Sequence, residues 1–166
     1  MIWCRNISKE ITFENWEEGT KPTVKGAYIR TSSNVIFKNI IFSSIGEERG
    51  DYLYLLYSNS SNVQIDNCDF SFTDYTSQTN KFAIYCDNNS YVQIDNSKIS
   101  NCHTGLHSAS LSTVVSHGLT FENVARCYRI AHMNLTVSGT DILEGNTDTK
   151  YIYGHSTEGI PYQIVG

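Results

Sequence analysis

Val63-Gln64-Ile65-Asp66-Asn67 recurs letter for letter as Val92-Gln93-Ile94-Asp95-Asn96. With the valine as anchor, further copies align on Val35, Val114 and Leu135, so successive anchors lie 28, 29, 22 and 21 residues apart. Two residues past the anchors stand Phe37, Ile65, Ile94, Ser116 and Val137; seven past stand Phe42, Phe70, Ile99, Phe121 and Ile142. Only Ser116 interrupts these apolar series. Apolar slots alternate with polar residues such as Gln64 and Asp66, which is the two-residue period of a strand.

Four residues past the anchors stand Asn39, Asn67, Asn96, Gly118 and Gly139. Glycine and asparagine enter the left-handed backbone region at least cost, against about 1–2 kcal/mol for other residues. Each copy therefore reads as strand, one-residue bend, strand. A third strand precedes the anchor: Tyr28-Ile29-Arg30, Leu53 to Tyr57, Phe82 to Cys86, Leu106-His107-Ser108, Tyr128 to His132 and Tyr151-Ile152-Tyr153. Three short strands per unit, with matching slots from copy to copy, predict an all-β parallel solenoid of six to seven coils stacked ~4.8 Å apart. Stacked Asn39, Asn67 and Asn96 amides are expected to bond one another. Amphipathic helices would need apolar residues at i, i+3, i+4 and i+7, leucine-rich repeats need a leucine spacing that is missing, and a β-sandwich gives no reason for a bend at one fixed offset. In the first coil Phe13 fits its column while Asn6 falls in the anchor slot. Neither end offers a recognisable cap, so residues 1–166 are expected to form a single domain that belongs to a longer chain or to an assembly covering its ends.

Composition narrows the classes. The 166 residues are 40% hydrophobic and 17% charged, with 2 prolines and 11 glycines, which excludes disordered and collagen-like chains. No apolar run reaches the ~20 residues of a membrane span, so no membrane insertion is expected. Met1-Ile2-Trp3-Cys4-Arg5-Asn6 does not read as a signal peptide, so an export signal is absent or lies outside this chain. A net charge of −5 argues against a nucleic-acid partner. Cys4, Cys68, Cys86, Cys102 and Cys127 form no C-x-x-C pair, and Cys102-His103 with His107 lacks a second half at zinc spacing; buried thiols are expected, with no metal and no cofactor. The N-x-S/T triplets at Asn6, Asn59, Asn88 and Asn134 are expected by chance in a chain this rich in Asn, Ser and Thr.

On Asn39, Asn67, Asn96 and the apolar columns, the chain resembles the right-handed parallel β-helix of the pectate-lyase-like superfamily over residues ~11–165. That superfamily includes pectate lyases, polygalacturonase-type glycosidases and the trimeric tailspikes and appendages of bacteriophages. The resemblance implies that ligands lie along the strand before the anchor and against the loops entering it. It also implies a bacterial surface polysaccharide as partner, a homotrimer, and a location on a virion tail or, outside a phage, secreted or at a cell surface.

If Ile29, Leu55, Ile84, Leu106, Ile130 and Ile152 point inward, then Tyr28, Arg30, Tyr54, Tyr85, His107, Arg129, Tyr151 and Tyr153 point out. Such a strip suits carbohydrate, whose apolar faces lie on aromatic rings while phenols and guanidinium groups bond hydroxyls. It equally suits packing against another subunit. The two longest coils carry loops Ser43 to Asp51 and Thr73 to Lys81, which bring Glu47, Glu48, Asp51 and Asp74 beside Tyr54 and Tyr85. Carboxylates ~5–5.5 Å apart would serve retaining glycoside hydrolysis, and ~6.5–9.5 Å apart inverting hydrolysis.

Two further constellations are weaker. Asp66 and Asp95 stack one coil apart, away from the ligand strip, and read as solvated edge charges. Ser116-His117-Gly118 resembles a polygalacturonase-type motif, but Gly118 already belongs to the bend column and the family's Asn-Thr-Asp and Asp-Asp motifs are missing upstream. No outward Asp on the strip offers the calcium ligand of a pectate lyase. Two functions follow as expectations: a tailspike-like module that binds host polysaccharide, or a hydrolase or lyase fragment with Glu47, Glu48 or Asp74 as acid and base.

Overall fold

The computed structural model describes residues 1–15, 19–44, 47–49, 52–74, 80–130, 134–138, 152–154 and 162–165. The anchor strands form one parallel seven-stranded sheet: Ile11–Glu14, Val35–Lys38, Asn62–Asp66, Tyr91–Asp95, Thr113–His117, Asn134–Ser138 and Tyr162–Val165. Val35, Val63, Val92, Val114 and Leu135 share one row, and Phe37, Ile65, Ile94, Ser116 and Val137 share another. The predicted alignment is therefore the observed register. One slot is corrected: Ile11, paired with Val35, is the anchor of the first coil, while Asn6 lies one strand earlier, just past Ile2–Arg5, at φ 56°.

The strand after the bend forms a second face through Thr23–Val24, Ile41–Ser44, Asp69–Phe72 and the starts of Lys98–Ser108 and Thr120–Ile130. The strand before the anchor forms a third face through Ile2–Arg5, Ala27–Arg30, Tyr52–Asn59, Lys81–Asp87, the ends of those same two long strands, and Ile152–Gly154. These two faces merge because the 22- and 21-residue coils run round the corner without a loop, turning at Asn101 (φ 51°) and Asn123 (φ 54°). Among the described residues all strand pairs are parallel except that of Glu47–Arg49 with Tyr52–Asn59. The molecule is a parallel β-helix.

Each corner carries its own polar stack. In the predicted bend column Asn39, Asn67, Asn96 and Gly118 have φ of 56°, 50°, 48° and 65°. The Asn67 amide donates to Asn39 Oδ1 at 2.7 Å, but that of Asn96 donates to Asp66 Oδ1 at 3.1 Å, so the expected ladder changes partner after one step. A Cβ on Gly118 would stand 3.1 Å from Asn96 Oδ1, closer than an unshifted neighbour allows; Gly139, the last member expected in this column, lies outside the described residues. At the loop-free corner Asn123 donates to Asn101 Oδ1 at 2.8 Å, and Asn101 to Ser71 Oγ at 3.1 Å. At the corner before the anchor, buried Ser32, Ser61 and Ser90 accept the backbone N–H groups of Ile7, Ser32 and Ser61 at 3.2, 3.1 and 3.3 Å. The Ser61 and Ser90 hydroxyls donate to the carbonyls of Asn59 and Asp87. The triplets at Asn59 and Asn88 thus end on a buried serine that closes the corner.

The interior holds the predicted columns. Phe42, Phe70, Ile99 and Phe121 share a row and are fully buried, with the Phe42 and Phe70 rings stacked at 4.5 Å. All five cysteines are free and buried; burial raises the thiols of Cys4, Cys68, Cys86 and Cys102, that of Cys68 to about 11, which keeps them protonated. Ser116, the one break in the apolar series, lies inside with its Oγ 3.0 Å from the phenol of Tyr128.

Candidate functional site

The outer face of the strand before the anchor is built by side-chain alternation. Inward rows include Ala27, Leu56, Ile84, Leu106 and Tyr128. One outward row runs Trp3, Tyr28, Tyr57, Tyr85, His107, Arg129 and Tyr153. Tyr28, Tyr85, His107 and Arg129 thus share the expected row, but Tyr54 does not: Tyr57 takes its place, and Tyr54 pairs with Phe82 in the neighbouring row. The cause is an irregular step. Leu55 and Leu56 are both buried in the core, so alternation skips one residue there, as it also does around Ala83 and Gly105. A Cβ at Gly105 would meet the Phe121 ring at 2.7 Å and the Cys127 carbonyl at 2.8 Å, which only glycine avoids.

The rings form a continuous ladder, with Tyr28, Tyr57 and Tyr85 stacked nearly parallel and Trp3 and His107 tilted at its ends. Centroids lie 4.8 Å apart for Trp3 and Tyr28, 5.1 Å for Tyr28 and Tyr57, 5.6 Å for Tyr57 and Tyr85, and 4.5 Å for Tyr85 and His107. Much of this row is support rather than contact surface. Tyr54, Tyr57, Phe82 and His107 are buried, Tyr28, Tyr85 and Arg129 are partly buried, and Arg30 is exposed, as is Trp3 at 69%. Two residues further along each strand the outward row reads Arg5, Arg30, Asn59 and Asp87. Tyr57 ties the rows together: its hydroxyl donates to Asp87 Oδ2 and accepts from Asn59 Nδ2, each at 3.1 Å.

His107 is held neutral, its pKa lowered to about 3 by burial first and by the Arg129 charge second, against weaker upward pulls from Asp87 and the Arg129 backbone. Its Nδ1 has no hydrogen-bond partner among the described residues. Beside the row, Lys81 is fully buried. Its ammonium donates to Asp74 Oδ1 at 2.6 Å and to the Asp74 carbonyl at 3.0 Å, and lies 5.4 Å from the centre of the Phe72 ring.

The carboxylates proposed for catalysis are distributed differently from a two-loop wall. Glu47 and Glu48 lie on a short strand, not a plain loop, with Glu47 opposite Tyr54 and Glu48 opposite Leu53. Asp74 is the ion-pair partner of Lys81 at the foot of the second insert. Asp51, residues 75–79 and Tyr151 lie outside the described residues, and Tyr153 is placed by its backbone register alone.

The remaining sequence constellations separate. Ser116 points into the core while His117 is exposed, so the two do not share a face. Cys102 is in the core, His103 bonds Thr104 at 3.2 Å, and His107 joins the outer stack. Asp66 and Asp95 do share a row on successive coils, but they accept from Asn96 and Gln93 respectively. Among the described residues no group of three His, Cys, Asp or Glu side chains converges as metal ligands.

Trp3 and Tyr57 join the strip beyond the sequence expectation: the skipped alternation at Leu55–Leu56 turns Tyr57 outward in place of Tyr54, and Trp3, on the first coil, has no upstream copy to mark its row.

The family model described as "Right handed beta helix region" matches residues 9–160. No curated protein and no solved structure matches the chain.

Proposed function

Because the chain belongs to the family of right-handed β-helix regions, we propose that it is a polysaccharide-binding module of the bacteriophage tailspike or tail-appendage type. Its partner is a bacterial surface polysaccharide, and it works as a homotrimer on a virion tail. The observation that carries this reading is the outward row Trp3–Tyr28–Tyr57–Tyr85, held in register over four coils and flanked by Arg30. Trp3, Tyr28 and Tyr85 are the rings of this row that reach solvent, braced by buried Tyr57; their faces suit the apolar faces of a linear glycan, and the Arg30 guanidinium beside them bonds its hydroxyls or carboxylates. The pairing of Asp74 with Lys81 favours binding over cleavage, because a carboxylate engaged in closing an insert is not free to act as acid or base.

The test is a bacterial-polysaccharide array probed with the full chain and with Tyr28→Ala, Tyr85→Ala and Arg30→Gln variants. Binding to a surface polysaccharide that falls tenfold or more in the variants, with circular dichroism unchanged, is the expected result. Equal binding by all four proteins, or release of new reducing ends from the bound glycan, overturns it. Light scattering should give three times the 18.7 kDa chain mass; a monomer removes the trimeric part.

A further inference from the structure

On the other side of the corner from the aromatic row, a groove of about 550 Å³ runs across four successive coils. Its walls include Asn6 from the first coil, Thr31 from the second, Ser60 and Asn62 from the third, and Asn89 and Tyr91 from the fourth. Three rung steps make it about 14 Å long. The volume falls in the range of ligand sites, ~300–1,000 Å³.

The groove's chemistry is distinct from that of the rest of the molecule. No Asp, Glu, Lys or Arg lines it, although 17% of the chain is charged. Its backbone is already used: the N–H groups of Asn6, Thr31 and Ser60 donate to Arg30, Asn59 and Asp87 at 3.0, 2.9 and 3.2 Å, and those of Asn62 and Tyr91 to Ser32 and Ser61. An added peptide strand, which needs an open edge of main-chain groups, finds none here. What the groove presents is side chains. Those of Asn6, Thr31 and Asn89 make no hydrogen bond among the described residues, while Asn62 lies beneath them, its Nδ2 donating to Asn34 Oδ1 at 3.3 Å. Tyr91 adds a ring 39% exposed at one end.

The backbone that builds this wall is unusual. Asn6, Thr31, Ser60 and Asn89 all lie in the left-handed region, at φ of 56°, 49°, 50° and 59°. Asparagine tolerates this, but threonine and serine do so at about 1–2 kcal/mol each. The turn thereby presents a hydroxyl or amide on each coil: Asn6, Thr31 and Ser60, whose hydroxyl also donates to the Asn88 carbonyl at 3.0 Å, and on the fourth coil Asn89, where the turn is one residue longer because Asn88 is left-handed too at φ 49°.

We infer that this groove binds an uncharged, hydroxyl-rich linear chain, a neutral oligosaccharide lying parallel to the coil axis with one sugar face on Tyr91. Nucleic acid would need cations that the groove lacks, and an acidic glycan would find no countercharge inside it. The site uses a different surface from the aromatic row and stands if that reading fails.

The experiment is an NMR titration of the ¹⁵N-labelled full chain with cellohexaose, xylohexaose, mannohexaose and maltohexaose, with hexagalacturonate as the charged comparator. At least one neutral hexamer should shift the Thr31, Ser60, Asn89 and Tyr91 amides. Tyr91→Ala should weaken that hexamer tenfold or more, and Asn89→Gly, which keeps the left-handed backbone, about threefold; Tyr28→Ala should leave it unchanged. The inference is overturned if no neutral hexamer moves these amides at millimolar concentration, if hexagalacturonate occupies the groove as tightly, or if Tyr91→Ala binds like the parent.

Discussion

The hydroxyls of Ser116 and Tyr128 meet 3.0 Å apart in the interior of the coil. They come from different sheets, and each sits in a column that is otherwise apolar: Ser116 follows Phe37, Ile65 and Ile94, and Tyr128 follows Leu56, Ile84 and Leu106. A polar residue in one column is thus matched by a polar residue in the column across from it.

Removing one partner of such a buried pair costs about 1–3 kcal/mol, whereas removing both costs much less. Tyr128→Phe and Ser116→Ala should each lower stability in that range by urea unfolding. The double variant should lose clearly less than the two single losses combined. Strict additivity would show that the two hydroxyls do not act as a pair.

Lys81 and Asp74 form the second test. A buried ammonium that loses its carboxylate is left uncompensated, which costs ~3–5 kcal/mol in a closed interior. The 52% exposure of the Asp74 side chain lets water share the charge, so Asp74→Ala should cost toward the lower end. Adding Lys81→Met to Asp74→Ala removes the orphaned charge and should recover most of the loss. If the double variant is no more stable than Asp74→Ala, the pair is not what closes this insert.

His107 predicts a pH dependence with a definite sign. Its folded pKa of about 3 lies below the ordinary ~6.5, so the unfolded chain binds the proton more readily. The stability this group contributes is full above pH 6.5 and is lost as pH falls toward 3, by up to ~1.4 kcal/mol per pH unit. His107→Phe keeps a ring in the stack and removes the titration. Between pH 7.5 and 5, above the range of ordinary carboxylates, the variant should lose measurably less melting temperature than the parent. Equal losses would place the proton elsewhere.

The sequence revealed most where one residue type is forced by backbone conformation or by a row of equivalents. Asn39, Asn67, Asn96 and Gly118 were readable because left-handed bends admit few side chains, and their rows followed. The corner serines were not, because Ser32, Ser61 and Ser90 act through their hydroxyls on the backbone of the preceding coil, and nothing local in Asn59-Ser60-Ser61 separates that use from chance. The outward row was legible by alternation up to Leu55–Leu56, where two successive residues face inward and the count shifts by one. That single step exchanged Tyr54 for Tyr57. Which aromatics touch solvent was not legible either, since the burial of Tyr57 and His107 depends on what neighbouring coils lay over them.

The coils of 28 and 29 residues carry the same rungs as those of 22 and 21; in the longer ones the strands end at Ser44 and Phe72, where in the shorter ones Asn101 and Asn123 turn directly into the next face. That edge is an insertion port. New segments grafted between Ser44 and Tyr52, or between Phe72 and Lys81, would leave the interior register untouched. One residue added inside Val63–Asn67 would instead turn a whole strand inside out. Diversification of this scaffold is therefore channelled to a single margin, the one bordering the aromatic row, while the opposite walls stay locked.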